Sequence, residues 1–532
     1  MKDKSFKQSV DERMAALEFV NDGLMSKSLN EPLERKRAIY GAFEARDARF
    51  DGRVYAAISS TGVYCRSVCP YHAKIENVTF YATAAEAEKA GYRPCLVCRP
   101  ETAPGLSSAD ARKSLARRAA AIIQEECTAG DSLARLSARL GYTDRHVRRV
   151  FQDEFGVTPM RFLTTCRLRL AKAMLADTNL PIAAVAQAAG FKSTRRFNDA
   201  FKGHYGLVPS EQRRLAKGRR ADASNAVTAI RLRLGYRPPM RFDELLAFFR
   251  DRALAGVEVV DDVSYMRTVR IEMPDGKEAT GWIRVEDDSV HHALVLSMSE
   301  SLLPATSMVV ARVRSMFDLD CDPEVVCDAL VALDDVRPGA DVCGTRLPGC
   351  FDPFETCCRA VLGQQVSVVA ANKLAARIAE TLGSRVQTGI EGLDRLWPSA
   401  SQVAGIDNIA ETLGPLGVIR ARSAVVSEIA LMLESGDLCF DVLVDPAEQM
   451  SKLMSVKGIG PWTANYIAMR VLSYPDAFLE KDSGVAHALP EMTPKERLEV
   501  VEPCRPWRSY AVICLWNSLS NQVPKPKGEQ SS

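Results

Sequence analysis

A chain of 532 residues is longer than one hydrophobic core usually serves, so three or four domains are expected. Its 47% hydrophobic and 26% charged content excludes a disordered or fibrous chain, and no apolar run is long enough to span a bilayer. The net charge of +2 conceals an asymmetry: residues 101–220 hold 22 Lys/Arg against 11 Asp/Glu, an excess of +11, which leaves about −9 for the rest. A basic block in an otherwise acidic chain is the electrostatic footprint of a nucleic-acid module, with a solvated helical face as the blander alternative. The stretch MKDKSFKQSVDERMAAL is charged and lacks the apolar core of a signal peptide, which points to the cytoplasm and no membrane contact. In that compartment fifteen cysteines are expected as thiols or metal ligands rather than a disulfide framework.

Residues 1–36 carry scattered charges with no clear period and stay unassigned. Residues 37–104 are cysteine-bearing and rich in β-branched and aromatic side chains, as in a small α/β unit stapled by a metal. Cys65-x3-Cys69, then 25 residues, then Cys95-x2-Cys98 is the spacing of one tetrahedral zinc site, with two close pairs expected on separate hairpins. A purely structural zinc is the alternative that spacing alone leaves open.

Residues 107–215 are helical by period and internally repeated. LSARLGYTDRHVRRVFQDEFGVTP (136–159) echoes VAQAAGFKSTRRFNDAFKGHYGLVPS (185–210), Gly141 pairing with Gly190 and Pro159 with Pro209. Each copy is a helix, a Gly-aromatic turn and a basic helix, which is the helix-turn-helix plan. The second helices offer Arg145, His146, Arg148 and Arg149, then Thr194, Arg195, Arg196 and Asn198, to double-stranded DNA. A generic pair of helical hairpins is the alternative.

Residues 216–226 are polar and read as a linker. From Val227, VTAIRLRL alternates like a strand, DELLAFFRDRAL (243–254) has a helical period, and strand-like runs follow near 258–272, 279–286 and 291–298. A small α+β domain over 227–305 is expected, then an almost wholly helical domain over 306–520 and a disordered tail over 521–532. The expected fold class is multidomain, mainly α with α+β parts. Within the helical part, LMSVKGIGPWTA (453–464) reads as a helix-hairpin-helix. Gly458 and Gly460 free backbone amides to face a DNA phosphate, with Lys457 beside them, although Gly-x-Gly alone is weak evidence.

Three resemblances sharpen this reading. TGVYCRSVC and ENVTFYATAAEAEKAGYRPCLVCRP resemble the zinc domain of Ada-type regulators, which implies repair of DNA methyl phosphotriesters. Carried over to this chain, Cys65 is the methyl acceptor and Cys65, Cys69, Cys95 and Cys98 bind Zn(2+). The helical repeat resembles AraC-type DNA-binding domains, which implies promoter binding with RNA polymerase as a partner. RLPGCFDPFETCCRAVLGQQVS (346–367), the hairpin, FLEKD (478–482) and RPWRSYAVICLW (505–516) resemble 3-methyladenine DNA glycosylase II of the AlkA type. That resemblance makes Asp482 the catalytic carboxylate, Trp462, Tyr466 and Trp516 the base pocket, and Gln364 and Gln365 DNA contacts, Gln365 standing at the intercalating wedge.

Bifunctional relatives place a Schiff-base lysine where this chain has Trp462, which implies base removal without strand cleavage; Lys481 is the residue that could act otherwise. The Pro-Cys-His-Arg motif of O6-methylguanine acceptors is absent, and Cys504 is expected to be inert. The resulting expectation is a monomeric sensor-regulator and repair enzyme. A transcription factor with a vestigial glycosylase, or a glycosylase tethered to a structural zinc, stand as rivals.

Overall fold

A computed structural model describes residues 29–30, 33–71, 73–105, 115–128, 133–217, 229–338, 343–441 and 444–520. Most of the amino-terminal extension, most of the linker over 216–226 and the tail over 521–532 lie outside these residues.

The first unit opens with helix α1 (Leu33–Glu44) and builds a four-stranded sheet from β1 (Tyr55–Ile58), β2 (Val63–Cys65), β3 (Val78–Tyr81) and β4 (Arg93–Pro94). Helix α2 (Ala84–Lys89) is held by a capping box in which Thr83 and Glu86 satisfy each other's backbone amides. The sheet order is β3-β1-β2-β4, with β2 and β4 parallel. The boundary expected at residue 37 falls inside α1, and the unit begins earlier. Leu29 is buried with Ile39, Phe43 and Phe80, and the Asn30 side chain donates to Phe80 O (2.8 Å) and accepts from Phe80 N (2.9 Å). An asparagine amide mimics a neighbouring strand there, which weak periodicity could not reveal.

Among the described residues seven helices follow: α3 (Leu115–Glu125), α4 (Leu133–Leu140), α5 (Asp144–Phe155), α6 (Pro159–Asp177), α7 (Ile182–Ala188), α8 (Thr194–Tyr205) and α9 (Pro209–Lys217). The two expected repeats are α4–α5 and α7–α8. Thr143 and Ser193 cap the second helices by accepting from His146 N and Arg196 N, and Gly156 and Gly206 end them in the left-handed region. The turn glycines differ. Gly141 has φ +73° with open space around it, whereas a Cβ on Gly190 would meet Arg167 Nε at 2.9 Å and Cys127 O at 3.0 Å.

A five-stranded antiparallel sheet follows, of order β5-β9-β8-β7-β6: β5 (Ala229–Gly235), β6 (Glu258–Val260), β7 (Ser264–Glu272), β8 (Glu278–Asp288) and β9 (Ala293–Ser299). Helix α10 (Phe242–Arg250) connects β5 to β6. The run expected as one strand near 258–272 is two, because Asp261 accepts from Val263 N and Ser264 N and turns the chain. Then come α11 (Thr306–Met316), α12 (Pro323–Val336), α13 (Pro353–Leu362), α14 (Val368–Leu382), α15 (Ala400–Ala404), α16 (Ile409–Leu413), α17 (Arg420–Ser435), α18 (Pro446–Ser455), α19 (Pro461–Val471), α20 (Ser483–Ala488), α21 (Pro494–Val500) and α22 (Arg508–Ser520). Proline at the first helical position with an aspartate cap before it starts α12, α13 and α18.

The cores do not follow the sequence boundaries. The second helical repeat shares one apolar cluster with the five-stranded sheet, Phe197 and Phe201 joining Ile230, Leu232 and Leu296. Arg237, 1% exposed, donates to Asp51 O (2.8 Å) and Gly105 O (3.0 Å) of the first unit and to Asp320 O (2.9 Å) of the helical part. An ion pair of Arg53 with Asp322 (2.9 Å) lies beside it. A disulfide joins Cys327 and Cys343, so the expectation of thiols and metal ligands alone is corrected for this pair. Their separation of 16 residues matches no metal spacing and gave no signal in the sequence.

Candidate zinc centre, DNA-facing helices and excision pocket

The four cysteines meet through the neighbouring parallel strands β2 and β4, not through two hairpins as expected. Cys65 ends β2 and Cys69 follows it in a turn, while Cys95 and Cys98 follow β4. Their sulfurs all lie within 4.8 Å of one another and are buried. A tetrahedron of sulfurs around zinc at ~2.3 Å needs edges of roughly 3.8 Å, so small rotations of these side chains suffice to bind the ion. Arg66 N and Val97 N each approach a sulfur, Cys98 Sγ and Cys95 Sγ, at 3.4 Å, orienting two ligands from the backbone. The donor set and geometry fit Zn(2+). Accessibility does not single out Cys65, which is 3% exposed while Cys98 is 8% exposed.

The basic helices present their side chains outward. Arg145, Arg148 and Arg149 are exposed on α5 with His146 half-buried, and Thr194, Arg195, Arg196 and Asn198 are exposed on α8. Tyr142 stacks on His146 at 5.1 Å between centroids, fixing the imidazole over the turn. The two faces are therefore open to a nucleic acid, each at the amino-terminal end of its helix.

Asp482 caps α20 by accepting from Val485 N (3.0 Å) through Oδ1. Its carboxylate is also held by two indoles, Trp516 Nε1 donating to Oδ1 (2.8 Å) and Trp462 Nε1 to Oδ2 (3.1 Å). The residue is 9% exposed, whereas Lys481 beside it is exposed. Gly484 makes this closure feasible: a Cβ there would lie 2.6 Å from the Trp516 ring. Trp462 stacks on Tyr466 at 5.3 Å and 12°, and Trp516 on Phe248 at 6.2 Å and 15°. The four aromatic residues and the carboxylate form one connected cluster, and Asp482, Trp462, Tyr466 and Trp516 are brought together as the sequence suggested.

Three members of the cluster were missed. Phe248 comes from α10, more than two hundred residues before Trp462, and reads as ordinary core. Arg252 lies 3.8 Å from the Phe248 ring centroid and Arg470 lies 4.7 Å from it. The i,i+4 spacing of Phe248 and Arg252 was the available signal. Arg470 also donates to Tyr466 Oη (2.8 Å). Burial raises the Tyr466 hydroxyl, but Arg470, Arg252 and Arg359 outweigh it and hold the group below its ordinary value. Cys504 is buried, and burial pushes its thiol up.

The hairpin tip between α18 and α19 exposes Lys457, Gly458 and Gly460. Gly458 has φ +109°, and Gly460 caps α19 without a side chain, leaving its first-turn amides open. Gln365 is exposed. Gln364, expected against DNA, is half-buried, and its amide donates to Gly458 O (2.9 Å) and Thr463 Oγ1 (3.0 Å).

Comparison with known proteins agrees with this geometry. Residues 38–101 match the metal binding domain of Ada, 136–215 a helix-turn-helix domain and 231–352 the AlkA N-terminal domain. A Mycobacterium tuberculosis protein described as "Probable bifunctional transcriptional activator/DNA repair enzyme AlkA" is 36% identical over 490 residues, 91% of this chain and 96% of its own length. The chain belongs to this bifunctional AlkA family. DNA-3-methyladenine glycosylase 2 of Escherichia coli is 35% identical over 53% of this chain and 95% of its own length. The bifunctional transcriptional activator/DNA repair enzyme Ada of Escherichia coli is 35% identical over 25% of this chain and 36% of its own. The bifunctional AlkA architecture is thus a fusion of Ada-type and AlkA-type parts. Among the described residues no helix is long and apolar enough to cross a membrane.

Proposed function

We propose that this chain excises 3-methyladenine-type bases from DNA, accepts methyl groups from DNA phosphotriesters on Cys65, and regulates transcription through its two helix-turn-helix units. The observation that carries the excision reading is the Asp482 carboxylate gripped by two indole N–H groups at the edge of an aromatic cluster. A flipped base stacks against Trp462 or Trp516, whose π faces attract the positive charge of an N-alkylated purine. That charge already makes the base a good leaving group, so the protein supplies little acid. As the N-glycosidic bond breaks, its electron pair leaves with the base and positive charge develops on the sugar. Asp482, fixed by three N–H donors, stabilises that charge without reorganising, and water completes the hydrolysis. Trp462 at the hairpin, with Lys481 exposed outside the cluster, favours base release without strand cleavage.

For methyl transfer, the sulfur of Cys65 attacks the methyl carbon in line; the C–S bond forms, the C–O bond breaks, and its electrons stay on the phosphodiester oxygen. Bound zinc supplies the charge that keeps these sulfurs as thiolates at neutral pH. A thioether has no route back, so transfer is stoichiometric. The exposed basic faces of α5 and α8 hold promoter DNA, with RNA polymerase as the partner of a monomeric protein. The deciding experiment measures base release from methylated DNA by wild type and Asp482→Asn. Release by wild type that is lost in the variant supports the reading; no release by wild type, or full release by the variant, overturns it.

A further inference from the structure

The turn between α13 and α14 is held in an unusual way. Gln365 has φ +54°, a left-handed conformation that a non-glycine residue adopts only where its surroundings impose it. The residue before it supplies those surroundings. Gln364 Nε2 donates to Gly458 O at 2.9 Å, inside the hairpin, and to Thr463 Oγ1 at 3.0 Å, in the first turn of α19. Its own carbonyl accepts from the Arg422 guanidinium on α17. Thr463 is 3% exposed and follows Trp462 directly, so the bond also fixes the start of the helix that carries the pocket wall. Gly458 in turn precedes the open amides of α19 that face outward.

One side-chain amide therefore joins three parts: the exposed Gln365 at the wedge, the hairpin, and the helix bearing Trp462. We propose that Gln364 is a positioning residue for base excision, coupling insertion of the wedge to the grip of the hairpin and the placement of Trp462 beside Asp482. It acts through these neighbours and not by touching DNA. The inference rests on the excision reading above. Three loosely related parts would each have to be ordered when a base flips; the clamp orders them beforehand, which is where misplacement by about an ångström becomes costly.

The test uses the full zinc-loaded chain with Gln364→Met, which keeps length and shape but removes the amide donor, and Gln364→Glu, which replaces the donor with a carboxylate facing Gly458 O. Three quantities are read: single-turnover release of 3-methyladenine, fluorescence of a 2-aminopurine placed next to the lesion, and affinity for DNA holding an abasic-site mimic. Release should fall on the order of 10- to 100-fold in both variants, with the flipping signal falling alongside it. Affinity for the mimic should stay within about threefold, and the melting temperature of Gln364→Met within about 4 °C. Unchanged release and flipping in Gln364→Met overturn the inference, as does a loss confined to affinity, which would make Gln364 a plain DNA contact. Wild type that flips without releasing base, with flipping lost in Gln364→Met, would sink the excision reading while supporting the clamp.

Discussion

The four-cysteine cluster and the proposed excision pocket are built in opposite ways. The cluster draws four like side chains from a stretch of 34 residues, Cys65 to Cys98, through two adjacent strands. The proposed pocket draws Phe248 from α10, Trp462 and Tyr466 from α19, Asp482 from the cap of α20 and Trp516 from α22, with α10 beside a sheet that lies far upstream. A local site depends on its metal and a few turns; an assembled site depends on every interface that brings its parts together. Removing the metal should therefore damage one and spare the other.

That contrast predicts the largest effect. Structural zinc in small domains is worth ~10–16 kcal/mol, as much as the whole net stability of a typical domain. Chelation, or Cys69→Ser, should melt the zinc unit, α1 to β4, as read by hydrogen exchange and abolish methyl transfer, while base release persists. Loss of base release on chelation would show that the pocket leans on the zinc unit through Arg237, and the contrast would fail. Next in size, Asp482→Asn should lower the single-turnover excision rate about 10²–10³-fold while methyl transfer to Cys65 and zinc content stay as in wild type. A methyl-transfer defect in that variant would mean the two sites are not separate.

A third effect concerns the junction of the zinc unit with α6. Burial raises the Glu101 carboxyl, but Lys172 and Arg99 outweigh it and hold the group at about 2, below its ordinary 4.5. Lys172 Nζ lies 2.5 Å from Glu101. Because the folded value is depressed, this stabilisation is complete above about pH 4.5 and is lost as pH falls through about 2; it amounts to about 3 kcal/mol. The stability difference between wild type and Glu101→Gln, which cancels the contribution of zinc, should be constant above pH 5 and shrink below pH 4 in denaturant titrations. A difference that does not change with pH would remove the ion pair as its cause. The smallest effect is Phe248→Leu, which keeps an apolar side chain but loses the stack on Trp516; excision should fall about 3- to 10-fold. No change there would confine the pocket to its carboxy-terminal members.

The sequence by itself determined the parts whose logic is local. Cysteine spacing marked the metal, and a fifty-residue echo with Gly-aromatic turns marked the paired helix-turn-helix units. Those signals survive because each rests on a turn, a cap or a ligand pair a few residues apart, whereas Asp482, Trp462, Tyr466 and Trp516 lie up to 54 positions apart and were named only by resemblance. Only the tertiary structure decided the rest. It brought Phe248, Arg252 and Arg470 to the aromatic cluster, tied the Gln364 amide to Gly458 O and Thr463 Oγ1, and started the zinc unit before its expected boundary by way of Leu29 and Asn30. It also made two repeats unequal, burying Phe197 and Phe201 against the five-stranded sheet while Phe151 and Phe155 cluster with α3 and with Ala85 of the zinc unit. Burial and side-chain direction depend on what packs from elsewhere in the chain, and a single strand of letters does not specify that neighbour until the whole core has closed.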